Sequence, residues 1–127
     1  MKKYIGCDLG GTNLRAALVE VESGTVLHQM SIPTLARDGH DVVMNRMANL
    51  ILELIQLTGM TKDEIRGIGI GVPGVLDLEK GETLLLPNLP GTWPHVPLRD
   101  TIIKLTGLPT ALLNDVRSVT NGEWRFG

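Results

Sequence analysis

Residues 67–72 alternate without exception, with Ile68, Ile70 and Val72 on one side and Gly67, Gly69 and Gly71 on the other. Successive side chains of a strand point to opposite faces. This segment is therefore expected to be a strand with one branched, apolar face and one face bare of side chains. A bare face allows another group to approach the backbone closely. The three glycines belong to a wider excess: the chain has 15 in 127 residues, roughly 12% against a usual ~7%. They form no low-complexity tract. They sit at the edges of apolar runs, as in a protein with many tight turns or close backbone approaches to a ligand.

The apolar runs around that strand set a fold class. Residues 4–8, 14–21 and 26–32 read as three short strands joined by turns, a β-meander. The period then changes. Over residues 39–58, Val43, Met47, Leu50, Ile51, Leu54 and Ile55 fall on one helical face. Asp38 or Asp41 is expected to cap its start and Gly59 to end it. Thr61 and Glu64 have capping-box spacing for a single helical turn. After the strand at 66–72 comes a Pro/Gly-rich segment, 73–97, with a small hairpin near 83–86. A helix is expected over 98–106, with Leu98, Ile102 and Leu105 inward, then a buried strand over 110–113 and a helix from Asp115 onward. The order βββαβαβα predicts an α/β domain with a mixed five-stranded sheet and helices packed on it.

Composition excludes several classes of function. With 12 basic and 14 acidic residues the net charge is −2, unlike a basic nucleic-acid binder. Four aromatic rings give little from which to build a stacking platform for single strands. The single cysteine, Cys7, excludes an internal disulfide and a multi-cysteine zinc site, and its apolar neighbours predict a buried, inert thiol. No run approaches the ~18 apolar residues of a membrane span, and the N-terminus has no signal-peptide core. A cytoplasmic protein with no membrane or nucleic-acid partner is expected.

Three motifs carry chemistry. In Asp8-Leu9-Gly10-Gly11-Thr12-Asn13, two glycines clear side chains from the backbone. Thr12 and Asn13 add donors, so N–H and O–H groups can converge on phosphate oxygens. Asp8 offers a carboxylate for magnesium or its waters. The plain alternative is a hairpin turn, in which Gly-Gly is common. Gly69-Ile70-Gly71-Val72-Pro73-Gly74 matches the dinucleotide fingerprint by letter, but no helix is predicted to start at its last glycine, so it is not that motif. Asn114-Asp115 stands where a strand ends and a helix begins. It is either a helix cap or a carboxylate placed to take a proton from a substrate hydroxyl. Asn88 and Trp93 lie in the long loop after Gly74; Trp93 either covers a sugar ring or anchors the loop. Asp8, Gly74 and Asn114-Asp115 each fall at or just beyond the end of a predicted strand. If those strands are parallel neighbours, all three open on one sheet edge, where ligands bind in open α/β sheets.

Taken in order, Asp8-Leu9-Gly10-Gly11-Thr12, Gly69-Ile70-Gly71-Val72-Pro73-Gly74, Asn88-Leu89-Pro90-Gly91 and Asn114-Asp115 resemble the ROK family (repressors, open reading frames and kinases), and within it the bacterial glucokinases. The first motif is similar to the first phosphate loop of the wider sugar-kinase, actin and Hsp70 superfamily. The resemblance implies an RNase H-like lobe and transfer of the γ-phosphoryl of ATP to a hexose hydroxyl. It implies Asp115 as general base; Gly74, Asn88, Asn114 and Asp115 at the sugar; Gly10, Gly11, Thr12 and Asn13 at phosphate; and Asp8 serving Mg2+. The run Val116-Arg117-Ser118-Val119 departs from the small residues usual after the Asn-Asp pair, which bears on the sugar more than on the reaction. Family kinases are roughly twice as long, so the chain is expected to be an N-terminal lobe alone. The second phosphate loop, the adenine pocket and the family's zinc site would then have no counterpart in it. Such a lobe is expected to be inactive by itself and, with an interlobe surface uncovered, to self-associate. A non-catalytic, sugar-sensing regulator lobe is the alternative.

Overall fold

The computed structural model describes residues 2–114. The chain begins as the predicted meander: β1 (Lys3–Leu9), β2 (Asn13–Glu20) and β3 (Val26–Pro33), each antiparallel to the one before. An 18-residue helix, α1 (His40–Leu57), follows. Then come β4 (Ile65–Gly71), the short strands β5 (Val75–Asp77) and β6 (Glu82–Leu85), the helix α2 (Leu98–Thr106) and β7 (Thr110–Leu113). Five strands form one sheet in the order β3-β2-β1-β4-β7, and β5 and β6 form a separate hairpin. The glycine-rich strand β4 lies between β1 and β7 and runs parallel to both.

The core follows from the two periodicities. Ile5, Cys7 and Leu9 of β1, Leu14, Ala16 and Leu18 of β2, and Ile68 and Ile70 of β4 share one face of the sheet and are buried there. Helix α1 lays Val43, Met47, Leu50, Ile51, Leu54 and Ile55 on them, all buried as its period predicts, together with Met44 and Ala48. On the opposite face Gly6, Gly69 and Ala111 stand in register across three strands. Gly67, Gly69 and Gly71 are all buried.

Three local expectations are corrected. Neither Asp38 nor Asp41 caps α1; its N-cap is Gly39 at φ 98°, with no side-chain bond to the helix. A 3-10 turn, Ala36–Asp38, occupies the space just before it. In α2 the inward set is Leu98, Ile102 and Thr106. Leu105 is 37% exposed. Burying Thr106 costs little, because its hydroxyl donates to the Ile102 carbonyl at 2.7 Å. The hairpin closes over residues 78–81, with β5 as the partner of β6. Glu64 accepts from the Thr61 N–H at 3.2 Å, in keeping with the capping box. The helix expected from Asp115 onward lies outside the described residues.

Candidate active site

Parallel pairing decides where the motifs meet. Asp8 of β1 stands level with Gly71 of β4, and Gly71 with Leu113 of β7. The C-terminal ends of these strands therefore share one edge of the sheet. The β1–β2 loop, Gly74 and Asn114 all lie at that edge. So does the end of β3, because Pro33 pairs with Asn13 at the start of β2.

The β1–β2 loop is tight. The Gly10 N–H donates to the Asn13 carbonyl at 3.1 Å. A Cβ on Gly10 would stand 2.6 Å from that carbonyl oxygen, and one on Gly11 would stand 3.0 Å from the Asn88 carbonyl oxygen. Both positions need glycine for space, and Gly11 needs it because Asn88 packs against it. Asn88 reaches the loop from a closed turn, in which the Leu89 N–H donates to the Leu86 carbonyl (3.1 Å) and the Leu86 N–H to the Thr92 carbonyl (2.9 Å). Leu86 is also the neighbour of Gly74: a Cβ there would collide with the Leu85 carbonyl and the Leu86 side chain. The Gly74 carbonyl in turn accepts from Asn114 Nδ2 at 2.8 Å. Gly11, Asn88, Leu86, Gly74 and Asn114 thus form a continuous line of contact along the edge.

Gly11, Thr12, Asn88 and Pro90 line a cleft of about 550 Å³, whose other wall is Pro33 and the segment Leu35, Ala36, Arg37 and Asp38. Sequence reasoning missed that wall. Its signal was topological: in a meander the third strand runs parallel to the first, so its end must reach the same edge. Leu35 is held at φ 56°, a left-handed conformation costly for a branched residue. Gly74, Asn114 and Asp8 are not part of this cleft's lining. A larger cleft, about 670 Å³, lies between α2, β7 and the β5–β6 turn, and none of the motif residues lines it; size alone does not mark the site.

Asp8 is half-buried. Desolvation raises its pKa, and the Arg15 guanidinium, on the residue opposite across the β1–β2 pair, partly counters this. The Cys7 thiol is 1% exposed, and burial, aided by the neighbouring Asp8 charge, holds it far above its ordinary range. It is inert, as expected.

Trp93 resolves to the anchoring reading. It is 1% exposed and belongs to the core. Its carbonyl accepts from the Thr83 hydroxyl at 2.7 Å, and its ring meets His40 edge-on at 6.0 Å. It pins a loop in which Thr92, Trp93 and His95 all have positive φ. Asp115 lies outside the described residues.

The ROK family profile matches residues 4–127. Glucokinase of Thermotoga maritima is 39% identical over 125 residues, which cover 98% of this chain and 37% of that protein. The xylose repressor of Caldicellulosiruptor bescii is 31% identical over 123 residues, covering 97% of this chain and 30% of the repressor. Among solved structures, a ROK family glucokinase from Streptomyces griseus, in complex with glucose and AMPPNP, matches with a TM-score of 0.79 at 29% identity. That match covers 98% of this chain and 37% of the other.

Proposed function

The chain belongs to the ROK family and has the actin-like ATPase fold of its kinases, and from that premise we propose that it is the N-terminal lobe of an ATP-dependent sugar kinase. The observation that carries the reading is the parallel register of β1, β4 and β7, which sets the β1–β2 loop, Gly74 and Asn114 on one edge. Two glycines whose Cβ atoms would crowd the Asn13 and Asn88 carbonyl oxygens let the loop turn tightly, a shape in which successive backbone N–H groups can cradle phosphate oxygens.

In this reading, backbone and side-chain donors of Gly10, Gly11, Thr12 and Asn13 hold phosphate. Asn88, Asn114 and the backbone at Gly74 hold the sugar. Asp115, next in sequence to Asn114, takes the proton of the attacking sugar hydroxyl while its oxygen bonds to the γ-phosphorus and the bond to the ADP oxygen breaks. Asp8 is the carboxylate for magnesium or its waters; a carboxylate pushed toward neutrality by burial is one that a neighbouring cation returns to its charged form. Magnesium, when bound, neutralises charge on the phosphate oxygens. Phosphoryl transfer depends mainly on positioning and charge stabilisation, and the site's tight loops supply the first. We place the protein in the cytoplasm, with ATP and a hexose as its small-molecule partners and a second copy of itself as a protein partner.

The kinship with the xylose repressor favours one other reading, a lobe that senses sugar without phosphoryl transfer. A coupled assay with glucose, mannose, allose and N-acetylglucosamine separates the two, run on a form extended to the length of the kinase relatives. Turnover that falls about 10²–10⁴-fold in Asp115→Asn supports the kinase and its base. Turnover that survives the substitution removes the base assignment. Sugar binding with no ATP·Mg binding by calorimetry establishes the sensor instead.

A further inference from the structure

We propose that Thr34 is a positioning residue that locks the Gly10–Gly11 peptide so that the loop presents an N–H, not a carbonyl oxygen, to an anion. The inference rests on the reading of residues 10–13 as a phosphate loop.

Thr34 follows β3 and is 0% exposed. Its hydroxyl donates to the Gly10 carbonyl at 2.7 Å, and its N–H donates to the Thr12 carbonyl at 2.8 Å. A single residue thus occupies two carbonyl oxygens of the loop. The Gly11 and Thr12 N–H groups make no hydrogen bond among the described residues, and both residues line the cleft.

The geometry of a trans peptide turns the first bond into a statement about the site. The Gly10 carbonyl and the Gly11 N–H belong to one planar unit and point in opposite directions. Tying the carbonyl to Thr34 fixes the N–H on the other side. A lock is needed here because glycine flanks that peptide on both sides. Glycine crosses between backbone conformations that other residues avoid, so this peptide can flip with little resistance. A flipped peptide would offer an oxygen to phosphate and repel it.

Thr34 is itself held. The Pro33 carbonyl just before it accepts from Arg46 Nη2 of α1 at 2.6 Å. The Thr34 N–H joins it to the Thr12 carbonyl at the start of β2. Nothing in the residue type alone marks Thr34; its burial and its two partners do.

The test is a titration with ATP·Mg of the chain extended to the length of its kinase relatives, followed by the backbone amide signals of Gly11 and Thr12 in NMR spectra. In the unchanged chain both amides shift saturably. Thr34→Val keeps the shape and the N–H bond but loses the hydroxyl. It is expected to raise the Kd for ATP·Mg about tenfold, the worth of one hydrogen bond, and to broaden or double the free Gly11 amide signal as the peptide samples two orientations. Thr34→Ser restores the affinity and the single signal. If Thr34→Val does not fold, Thr34→Ala, which also lacks the hydroxyl and is smaller, is read in the same way. A hydroxyl-free variant with a lower Tm, an unchanged Kd and an unchanged Gly11 signal overturns the proposal and leaves Thr34 a packing residue. Gly11 and Thr12 amides that ignore ATP·Mg in the unchanged chain overturn the phosphate-loop reading, and the role of Thr34 with it.

Discussion

Asp8 stands where a buried strand reaches an open edge, and this position sets its charge behaviour. Desolvation raises its pKa more than Arg15 lowers it, so the folded chain holds the Asp8 proton more tightly than the unfolded chain does. Stability therefore falls as pH rises from the ordinary carboxylate value, about 3.9, through the raised folded value, and the full cost persists above it. In magnesium-free buffer, Asp8→Asn is expected to raise the thermal midpoint at pH 7, with the gain vanishing below about pH 3.5. The same substitution should lower turnover of the two-lobed kinase at least ~10²-fold. Calorimetric melts across pH check the first outcome and a coupled assay the second; a midpoint lowered at pH 7 would contradict the desolvation argument. Asp8, Gly10 and Gly11 were legible in the sequence because a carboxylate and two glycines directly after an apolar run are unusual by residue type. Thr34 was not. A threonine after a proline has no chemical signature until the fold places it against the Gly10 carbonyl.

Helix α1 shows what periodicity determines and what it leaves open. Its inward face was readable because six apolar residues at helical spacing leave a single orientation that buries them all. Leu54 lies at the centre of that face and is 0% exposed. Leu54→Ala is expected to cost about 2–5 kcal/mol through lost burial and a residual cavity, measured by urea denaturation; a cost below ~1 kcal/mol would place the core elsewhere. The start of the helix was not readable. Two aspartates stood at capping distance, yet Gly39 at φ 98° occupies the N-cap, because Asp38 belongs to the 3-10 turn Ala36–Asp38 and the chain leaves that turn through Gly39 directly into the helix. In α2 the period placed Leu105 inward, whereas Thr106 fills that position by satisfying its hydroxyl within the helix. A polar residue that can bond its own backbone competes with leucine for a buried site, and a count of apolar residues does not register this.

At the scale of the whole molecule, the edge that gathers the motifs carries a cleft walled by Gly11, Thr12, Asn88 and the 35–38 segment, and the chain spans 37% of the length of its glucokinase relative from Thermotoga maritima. Kinase chemistry needs both reactants held and water excluded. The 127-residue chain alone is therefore expected to show no turnover with ATP and glucose in a coupled assay, while a two-lobed form does; robust turnover by the short chain would overturn this. The five strands of the main sheet and the motif order followed from the sequence by itself, because hydrophobic period and glycine placement are local properties written in consecutive residues. So did the kinship with the ROK family, which residues 4–127 bear out. Tertiary structure alone decided that Gly11 touches Asn88, that Asn114 holds the Gly74 carbonyl, that Thr34 ties the Gly10 carbonyl, and that the 35–38 segment walls the cleft. These pairs are separated by 77, 40 and 24 residues in the chain for Gly11–Asn88, Gly74–Asn114 and Gly10–Thr34. What joins them is the register of parallel and antiparallel strands, a property of pairing between distant segments that no local pattern encodes.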